Sequence, residues 1–153
     1  MRLLLFLLLN FGALYVGALF MGQSPAENEW YQSLSKAPWT PPGWVFGAAW
    51  TTIMICYAVY LSSVVRTDDS LTKKRLIISY ALQLFLNVFW NPLFFNWHRT
   101  ELALFCILSL LAVIVYQLLK LSPQSVYLKL LLLPYALWLG IAVSLNFFVV
   151  LMN

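Results

Sequence analysis

Five long apolar segments separated by short polar links dominate this sequence. They cover about residues 3–21, 44–65, 76–96, 102–119 and 127–151. Each is close to the roughly 20 residues that a helix needs to cross a hydrocarbon core about 30 Å thick. A segment in lipid must satisfy its own backbone hydrogen bonds, which a helix does and a lone strand does not. We therefore predict an all-α membrane protein, a five-helix bundle in which residues 1–153 form a single transmembrane domain.

The amino-acid composition argues against a soluble protein. Hydrophobic residues make up 63% of the chain and charged residues only 9%, whereas about a quarter of the residues in a soluble domain are charged. The lipid bilayer is therefore the expected surrounding of most of this surface. A nucleic-acid-binding face needs clustered basic charge on a soluble surface, so we expect no nucleic-acid partner despite the net charge of +4.

Lysines and arginines are distributed unevenly between the two ends of the spans. Seven of the nine fall on the side of the N-terminus, namely Arg2, Arg66, Lys73, Lys74, Arg75, Lys120 and Lys129. Lys36 and Arg99 fall on the other side. Because lysine and arginine accumulate on the cytoplasmic side of membrane proteins, we predict a cytoplasmic N-terminus and an outward-facing first loop.

The first span has some features of a secretory signal peptide. Arg2 precedes a leucine run, and small residues follow near Ser24, Pro25 and Ala26. Its apolar stretch of about 19 residues is longer than the 7–15 residues usual in a signal peptide. We favour a retained helix, and cleavage remains the alternative.

The first loop, residues 22–43, is rich in tryptophan and proline. Four of the seven tryptophans lie between residues 30 and 50: Trp30, Trp39, Trp44 and Trp50. An indole ring suits a membrane–water boundary or the face of a flat ligand. Loops of this length commonly serve as lids or binding loops, or are disordered, and the aromatic content argues against disorder. We predict a lid.

The third span carries polar residues on one helical face. Gln83, Asn87 and Trp90 follow the spacing i, i+4, i+7, and Asn91 lies beside them. One interpretation is interhelical hydrogen bonding, and the other is a polar strip along a cavity wall. We favour the cavity, because a tryptophan shares the face.

The second and fifth spans repeat this combination of tryptophan with small or polar neighbours. Trp50 and Tyr57 share a face of the second span, which also carries Phe46. In the fifth span Tyr135 precedes Trp138 by three residues, and Ala142 and Asn146 follow at successive turns. A single aromatic residue usually indicates core packing, but three such helices favour a ligand pocket.

Other patterns limit the possible chemistry. No charged residue lies in the middle of a span, where proton relays and ion-coupled carriers need one. The single histidine, His98, lies in a short loop, and Cys56 and Cys106 lie within spans, so we expect no metal site, no required cofactor and no hydrolytic or phosphoryl-transfer machinery. Small residues at spacing four, Ala13 with Gly17 and Ala136 with Gly140 and Ser144, suit close helix packing within or between protomers.

Three motifs in this order resemble the TspO/translocator protein family, also called tryptophan-rich sensory proteins or peripheral-type benzodiazepine receptors. The first motif is Trp30-Tyr31, Pro38-Trp39-Thr40-Pro41-Pro42 and Trp50. The second is Ala81-Leu82-Gln83-Leu84-Phe85-Leu86-Asn87 with Trp90-Asn91-Pro92 and Phe94-Phe95. The third is Pro134-Tyr135-Ala136-Leu137-Trp138 with Leu145-Asn146-Phe147. The resemblance covers nearly the whole chain and is to the bacterial members.

The resemblance implies a homodimer in the bacterial cell membrane whose pocket binds porphyrins such as protoporphyrin IX, or other flat hydrophobic molecules including isoquinolines, benzodiazepines and sterols. The ligand-binding residues would be Tyr31, Trp39, Trp50, Asn87, Trp90, Trp138 and Ala142. The resemblance also implies an alternative, light- and oxygen-dependent porphyrin degradation in which Trp50 and Trp138 are the catalytic candidates. A third hypothesis is an interaction protein whose pocket only senses a ligand.

Two departures from the family pattern narrow these expectations. The sterol motif of animal members needs a tyrosine followed by arginine or lysine near the C-terminus, whereas residues 146–153 contain no basic residue. Many members place an acidic residue in the fourth helix, where this chain has Cys106 or a neighbour of it. We therefore do not expect sterol recognition of that kind, or a role for that carboxylate.

Overall fold

The computed structural model describes residues 1–66, 68–121 and 125–153. Its helices are α1 (Arg2–Met21), α2 (Glu29–Ser33), α3 (Gly43–Val64), α4 (Ser70–Asn91), α5 (Thr100–Tyr116) and α6 (Val126–Met152). A π-helical turn extends α4 over Pro92–Asn96, and another extends α5 over Gln117–Leu121. Five of these helices are long and apolar enough to span a membrane. The prediction of an all-α bundle with five transmembrane helices is confirmed.

The ends of the spanning helices lie close to the predicted bounds, with one difference. The third span begins at Ser70, about six residues before the predicted start, because the carboxylate of Asp69 accepts hydrogen bonds from the backbone amides of Leu71 and Thr72 and caps the helix. The first span ends at Gly22, whose φ of 79° is readily adopted by glycine. Pro92 begins the π-helical turn, whereas Pro134 lies inside the continuous helix α6.

The five spanning helices are arranged as a ring. Helix α1 packs against α3 and α4, α6 packs against α3 and α5, and α4 packs against α5. Tyr57, Tyr60 and Tyr135 are the largest side chains fully buried in the interior. Tyr57 lies 5.4 Å from Tyr135 and 5.9 Å from Tyr80 between ring centroids, so tyrosines from three helices meet along the middle of the bundle.

Two buried amides tie the ring together. Asn10 of α1 donates from Nδ2 to the carbonyl of Met54 and accepts a hydrogen bond from the Tyr80 hydroxyl, which links α1 to both α3 and α4. Gln117, at the end of α5, accepts from the Tyr57 hydroxyl and donates to Ser79 Oγ. These bonds satisfy polar groups that lipid leaves unpaired.

Gly17 of α1 packs directly against α4. A Cβ at this position would lie 2.7 Å from Asn91 Nδ2. Gly17, of the first pair of small residues, therefore packs two helices within the chain. Gly140, in the second set, faces open space.

Candidate ligand-binding site

Tyr135 of α6 is the centre of the polar contacts inside the bundle. Gln83 Nε2 and Asn87 Nδ2, one turn apart on α4, each donate to the Tyr135 hydroxyl oxygen at 2.8 Å. The Trp50 ring of α3 meets the Tyr135 ring edge-on, with centroids 5.9 Å apart. Residues of three helices thus converge on the Tyr135 side chain. We call this group the inner cluster: Gln83, Asn87, Tyr135 and Trp50.

Trp138 lies one turn beyond Tyr135 on α6. Its ring is buried and packs edge-on against Phe46 of α3, with centroids 5.2 Å apart. Ala142, a further turn along, is half-buried. The α3–α6 boundary therefore carries two indoles, Trp50 and Trp138, and the small Ala142 side chain.

A second group of aromatic residues covers the end of α4, and we call it the outer cluster: Trp30, Tyr31, Trp90, Phe94, Phe95 and His98. Trp90 stacks on Phe94 at 5.1 Å, and Tyr31 packs against both Phe94 and Phe95. Trp30 stacks on His98 at 4.0 Å. The Trp90 indole donates to Asn146 Oδ1 of α6 at 3.2 Å, which ties this cluster to the fifth spanning helix.

The first loop is held against the bundle at several points. It contains the short helix α2, capped by the Asn28 side chain, and its Trp30 and Tyr31 belong to the outer cluster. Further along, the Asn153 side chain accepts from the Ser35 amide at 2.9 Å and donates to the Ser35 carbonyl at 3.3 Å. The Trp39 indole donates to Ser144 Oγ, and its ring packs on Phe148.

A charged side chain of the first loop lies beside the outer cluster. Lys36 Nζ lies 4.6 Å from the centroid of the Tyr31 ring and donates to Gln32 Oε1. Burial raises the pKa of the Tyr31 hydroxyl above its usual value, so this group is a neutral phenol at physiological pH. Among the described residues, no group of three or more His, Cys, Asp or Glu side chains is arranged to hold a metal ion.

Comparison with known proteins places this arrangement in a family. The family model described as TspO/MBR matches residues 5–152. This chain belongs to the TspO/MBR family. It is 30% identical to the tryptophan-rich sensory protein of Cereibacter sphaeroides over 78% of this chain and 74% of that protein. It is 32% identical to the tryptophan-rich protein TspO of Chlorobaculum tepidum over 85% of this chain and 84% of that protein. It is also 32% identical to the translocator protein of Homo sapiens over 84% of this chain and 79% of that protein.

Membership of the TspO/MBR family makes the chain an integral membrane protein of a sensory and transport family. The residues predicted to bind a ligand fall into three places in this TspO/MBR fold. Trp50, Asn87, Trp138 and Ala142 line the α3–α4–α6 interior, and Trp90 and Tyr31 lie in the outer cluster. Trp39 contacts Ser144 and Phe148 and is 55% exposed. Of the interior group, Trp50 and Asn87 share a contact with Tyr135, whereas Trp138 contacts Phe46.

Some interior residues of this TspO/MBR chain were missed or undervalued as site residues. The sequence pattern places Gln83 and Tyr135 beside the predicted site residues but does not predict that either binds a ligand, although they form the polar part of the inner cluster. Asn10 and Gln117 belong to none of the three sequence motifs. A lone amide in an apolar span was the available signal, since such a group must find a partner inside the protein.

Proposed function

We propose that this protein is a membrane receptor or carrier that binds porphyrins of the protoporphyrin IX type, or other flat hydrophobic ligands, between α3, α4 and α6. The first loop forms the lid of this pocket. Binding comes from ring stacking and burial of apolar surface, and Asn87 and the indole N–H groups orient the polar edges of the ligand.

The observation that carries this proposal is the convergence of Trp50 and Asn87 on Tyr135, with Trp138 one turn away. Two indoles and two carboxamides from three helices supply flat apolar walls and a few oriented polar groups, which is the usual make-up of a small-molecule site. Phe46 and Trp50, on α3, are only partly buried.

The proposal is tested with Trp50→Phe and Trp138→Phe in lipid nanodiscs, by titrating protoporphyrin IX and following its absorbance. Losing part of an aromatic contact costs about 0.5–1.5 kcal/mol, so each variant should bind about 2- to 12-fold more weakly. Trp44→Phe is the matched control, because Trp44 is 75% exposed at the start of α3. Unchanged affinity in both interior variants, or an equal loss in the control, contradicts the proposal.

No contact in the site favours porphyrin degradation over porphyrin binding, so degradation is not proposed. Illuminating the same nanodisc samples in air and following the porphyrin absorbance also tests for degradation. Porphyrin absorbance that decays no faster with protein than without it leaves binding as the function. Faster decay that requires both Trp50 and Trp138 contradicts this choice.

We further propose that the lid faces outward from a bacterial cell membrane and that the protein is a homodimer. The lysine-rich end of the bundle supports the orientation, and the open surface at Gly140 on α6 supports close packing of a second copy. Protease added to sealed right-side-out vesicles should cut after Lys36. Cross-linking between the introduced cysteines of two Gly140→Cys copies should trap the dimer. If only monomers are recovered, this face of α6 is excluded as the dimer interface.

A further inference from the structure

A shallow groove lies on the outer face of α4, at the lysine-rich end of the bundle. Its volume is about 350 Å³, and it is lined by Asp68, Ser70, Lys73, Lys74, Ile77 and Ile78. The five lining residues that belong to α4 follow the spacing i, i+3, i+4, i+7, i+8 and therefore share one helical face. Ile77 and Ile78 are each more than half exposed, so this face meets the surroundings of the bundle and not its interior.

The groove is cationic at one end and apolar at the other. Lys73 and Lys74 lie in the first two turns of α4, and the two isoleucines follow one turn further along. Residues 76–96 contain no charged residue, so the isoleucines lie in the lipid-facing part of the span and the lysines lie at its boundary. A phospholipid has the same order of groups, because its phosphate lies at the membrane boundary and its acyl chains lie in the hydrocarbon core.

The ammonium groups of the two lysines can bind an anion from outside the chain. Within the described part of the chain, neither Lys73 nor Lys74 forms an ion pair with a carboxylate. The neighbouring Asp69 carboxylate accepts hydrogen bonds from amides in the first turn of α4. Of the lining residues, only Asp68 carries a carboxylate, so the two lysines leave a net positive charge in the groove.

The charge and the apolar wall together favour a lipid over other occupants. A second copy of the chain packed on this face by two-fold symmetry would bring its own Lys73 and Lys74 against these two, and like charges brought together disfavour association. A free anion in solution would use the lysines but would leave the isoleucine half of the groove empty. An anionic phospholipid satisfies both halves, and anionic lipids attract lysines close to the membrane surface.

We propose that this groove binds one anionic phospholipid, with its phosphate between the Lys73 and Lys74 ammonium groups and an acyl chain along Ile77 and Ile78. The groove lies on the outer face of α4, whereas Gln83 and Asn87 of the same helix face the interior. The inference therefore goes beyond the proposed porphyrin site and does not depend on it. Because the lipid binds the folded bundle, it should also stabilise the protein.

The test is native mass spectrometry of the full chain in a neutral detergent, with dioleoyl phosphatidylglycerol and dioleoyl phosphatidylcholine as probes. The two lipids share their acyl chains and differ in headgroup charge. We expect wild type to bind phosphatidylglycerol about tenfold or more tightly than phosphatidylcholine. Each lysine beside an anionic lipid contributes about fivefold, so the double variant Lys73→Gln with Lys74→Gln should bind phosphatidylglycerol about 10- to 30-fold more weakly. Asp68→Asn removes the opposing carboxylate and should bind it about two- to threefold more tightly.

The matched control is the double variant Lys120→Gln with Lys129→Gln. It removes the same charge from exposed positions at the same end of the bundle, outside the groove, and should stay within about twofold of wild type. Equal binding of the two lipids by wild type, an equal loss in the two double variants, or weaker binding in Asp68→Asn overturns the inference.

Unfolding by SDS distinguishes a lipid from a free anion. Phosphatidylglycerol added to the mixed micelles should raise the unfolding midpoint of wild type and not that of the groove variant. Inorganic phosphate should have no more effect than sodium chloride of equal ionic strength. Stabilisation by inorganic phosphate equal to that by the lipid would show a simple anion site and overturn the assignment to a phospholipid.

Discussion

Asn10 should be the main polar anchor of α1, and replacing it tests how the bundle is held together. Most of α1 faces outward, and only Asn10 and Gly17 are buried along its length. The Asn10 carboxamide makes two interhelical hydrogen bonds, to Met54 O at 3.1 Å and from the Tyr80 hydroxyl at 2.9 Å. Asn10→Ala removes both bonds and leaves the Tyr80 hydroxyl without this partner.

The expected magnitude follows from these two bonds. Interhelical hydrogen bonds in membrane proteins contribute on average about 0.6 kcal/mol and at most about 1.7 kcal/mol each. Asn10→Ala should therefore lower the free energy of unfolding by about 1–3 kcal/mol. Tyr80→Phe removes only one bond and should cost about half as much, since the packing of its ring on Phe6 is kept.

The assay is reversible unfolding by SDS in mixed micelles, followed by circular dichroism, with a double-mutant cycle between positions 10 and 80. The cycle should give a coupling energy of about 0.6–1.7 kcal/mol. Leu9→Ala is the control, because Leu9 is 42% exposed on the outer face of α1 and should cost little. The reasoning is refuted if Asn10→Ala is as stable as wild type, or if its cost is the same with and without the Tyr80 hydroxyl.

Three further predictions follow from individual contacts. Gly17→Ala brings a Cβ to 2.7 Å from Asn91 Nδ2. In the SDS titration this variant should lower the free energy of unfolding by about 1 kcal/mol, and Gly17→Leu should lower it by about 2–3 kcal/mol. Equal losses in the two variants would contradict this close contact. Asn153→Ala removes both hydrogen bonds to the first loop and should speed tryptic cleavage after Lys36 about three- to tenfold, and an unchanged rate would show that this contact does not hold the loop. Hydrogen bonds from the Thr72 side chain and the Leu71 amide lower the pKa of the Asp69 carboxyl. The stability that Asp69 contributes is present above the usual aspartate pKa and is lost as the pH falls through the lowered value. The unfolding midpoint should therefore drop on acidification below about pH 4 in wild type, and it should drop less in Asp69→Asn. Parallel pH profiles of the two proteins would rule this out.

The spans could be predicted from the sequence because hydropathy and length are nearly sufficient in lipid. The third span shows the limit of that signal. Its first two turns are polar, since they contain Lys73 and Lys74, and hydropathy therefore predicts too late a start. The helix begins at Ser70 because Asp69 caps it, and capping residues report helix ends independently of hydropathy.

The candidate site could be predicted only in part, because periodicity gives a face but not its partners. The spacing of Gln83 and Asn87 correctly placed both amides towards the interior. That both bond the same Tyr135 hydroxyl depends on the order of helices around the ring, which no pattern within one helix contains. The interhelical hydrogen bonds of the first interpretation are therefore present, and the cavity wall stays a prediction.

The sequence pattern of the first loop does not predict which contacts its tryptophans make, because these contacts differ from one tryptophan to the next. Trp30 stacks on His98, which the α4–α5 turn holds at a φ of 52°, whereas Trp39 reaches the surface of α6. The α2 end of the loop is thus fixed by several packed rings. The other end is held by exposed hydrogen bonds from Asn153 and Trp39, which contribute less because water competes for them. If the loop opens for a ligand, the end near α6 should therefore release first while Trp30 and Tyr31 stay in place, which is why cleavage after Lys36 is the sensitive measure of opening.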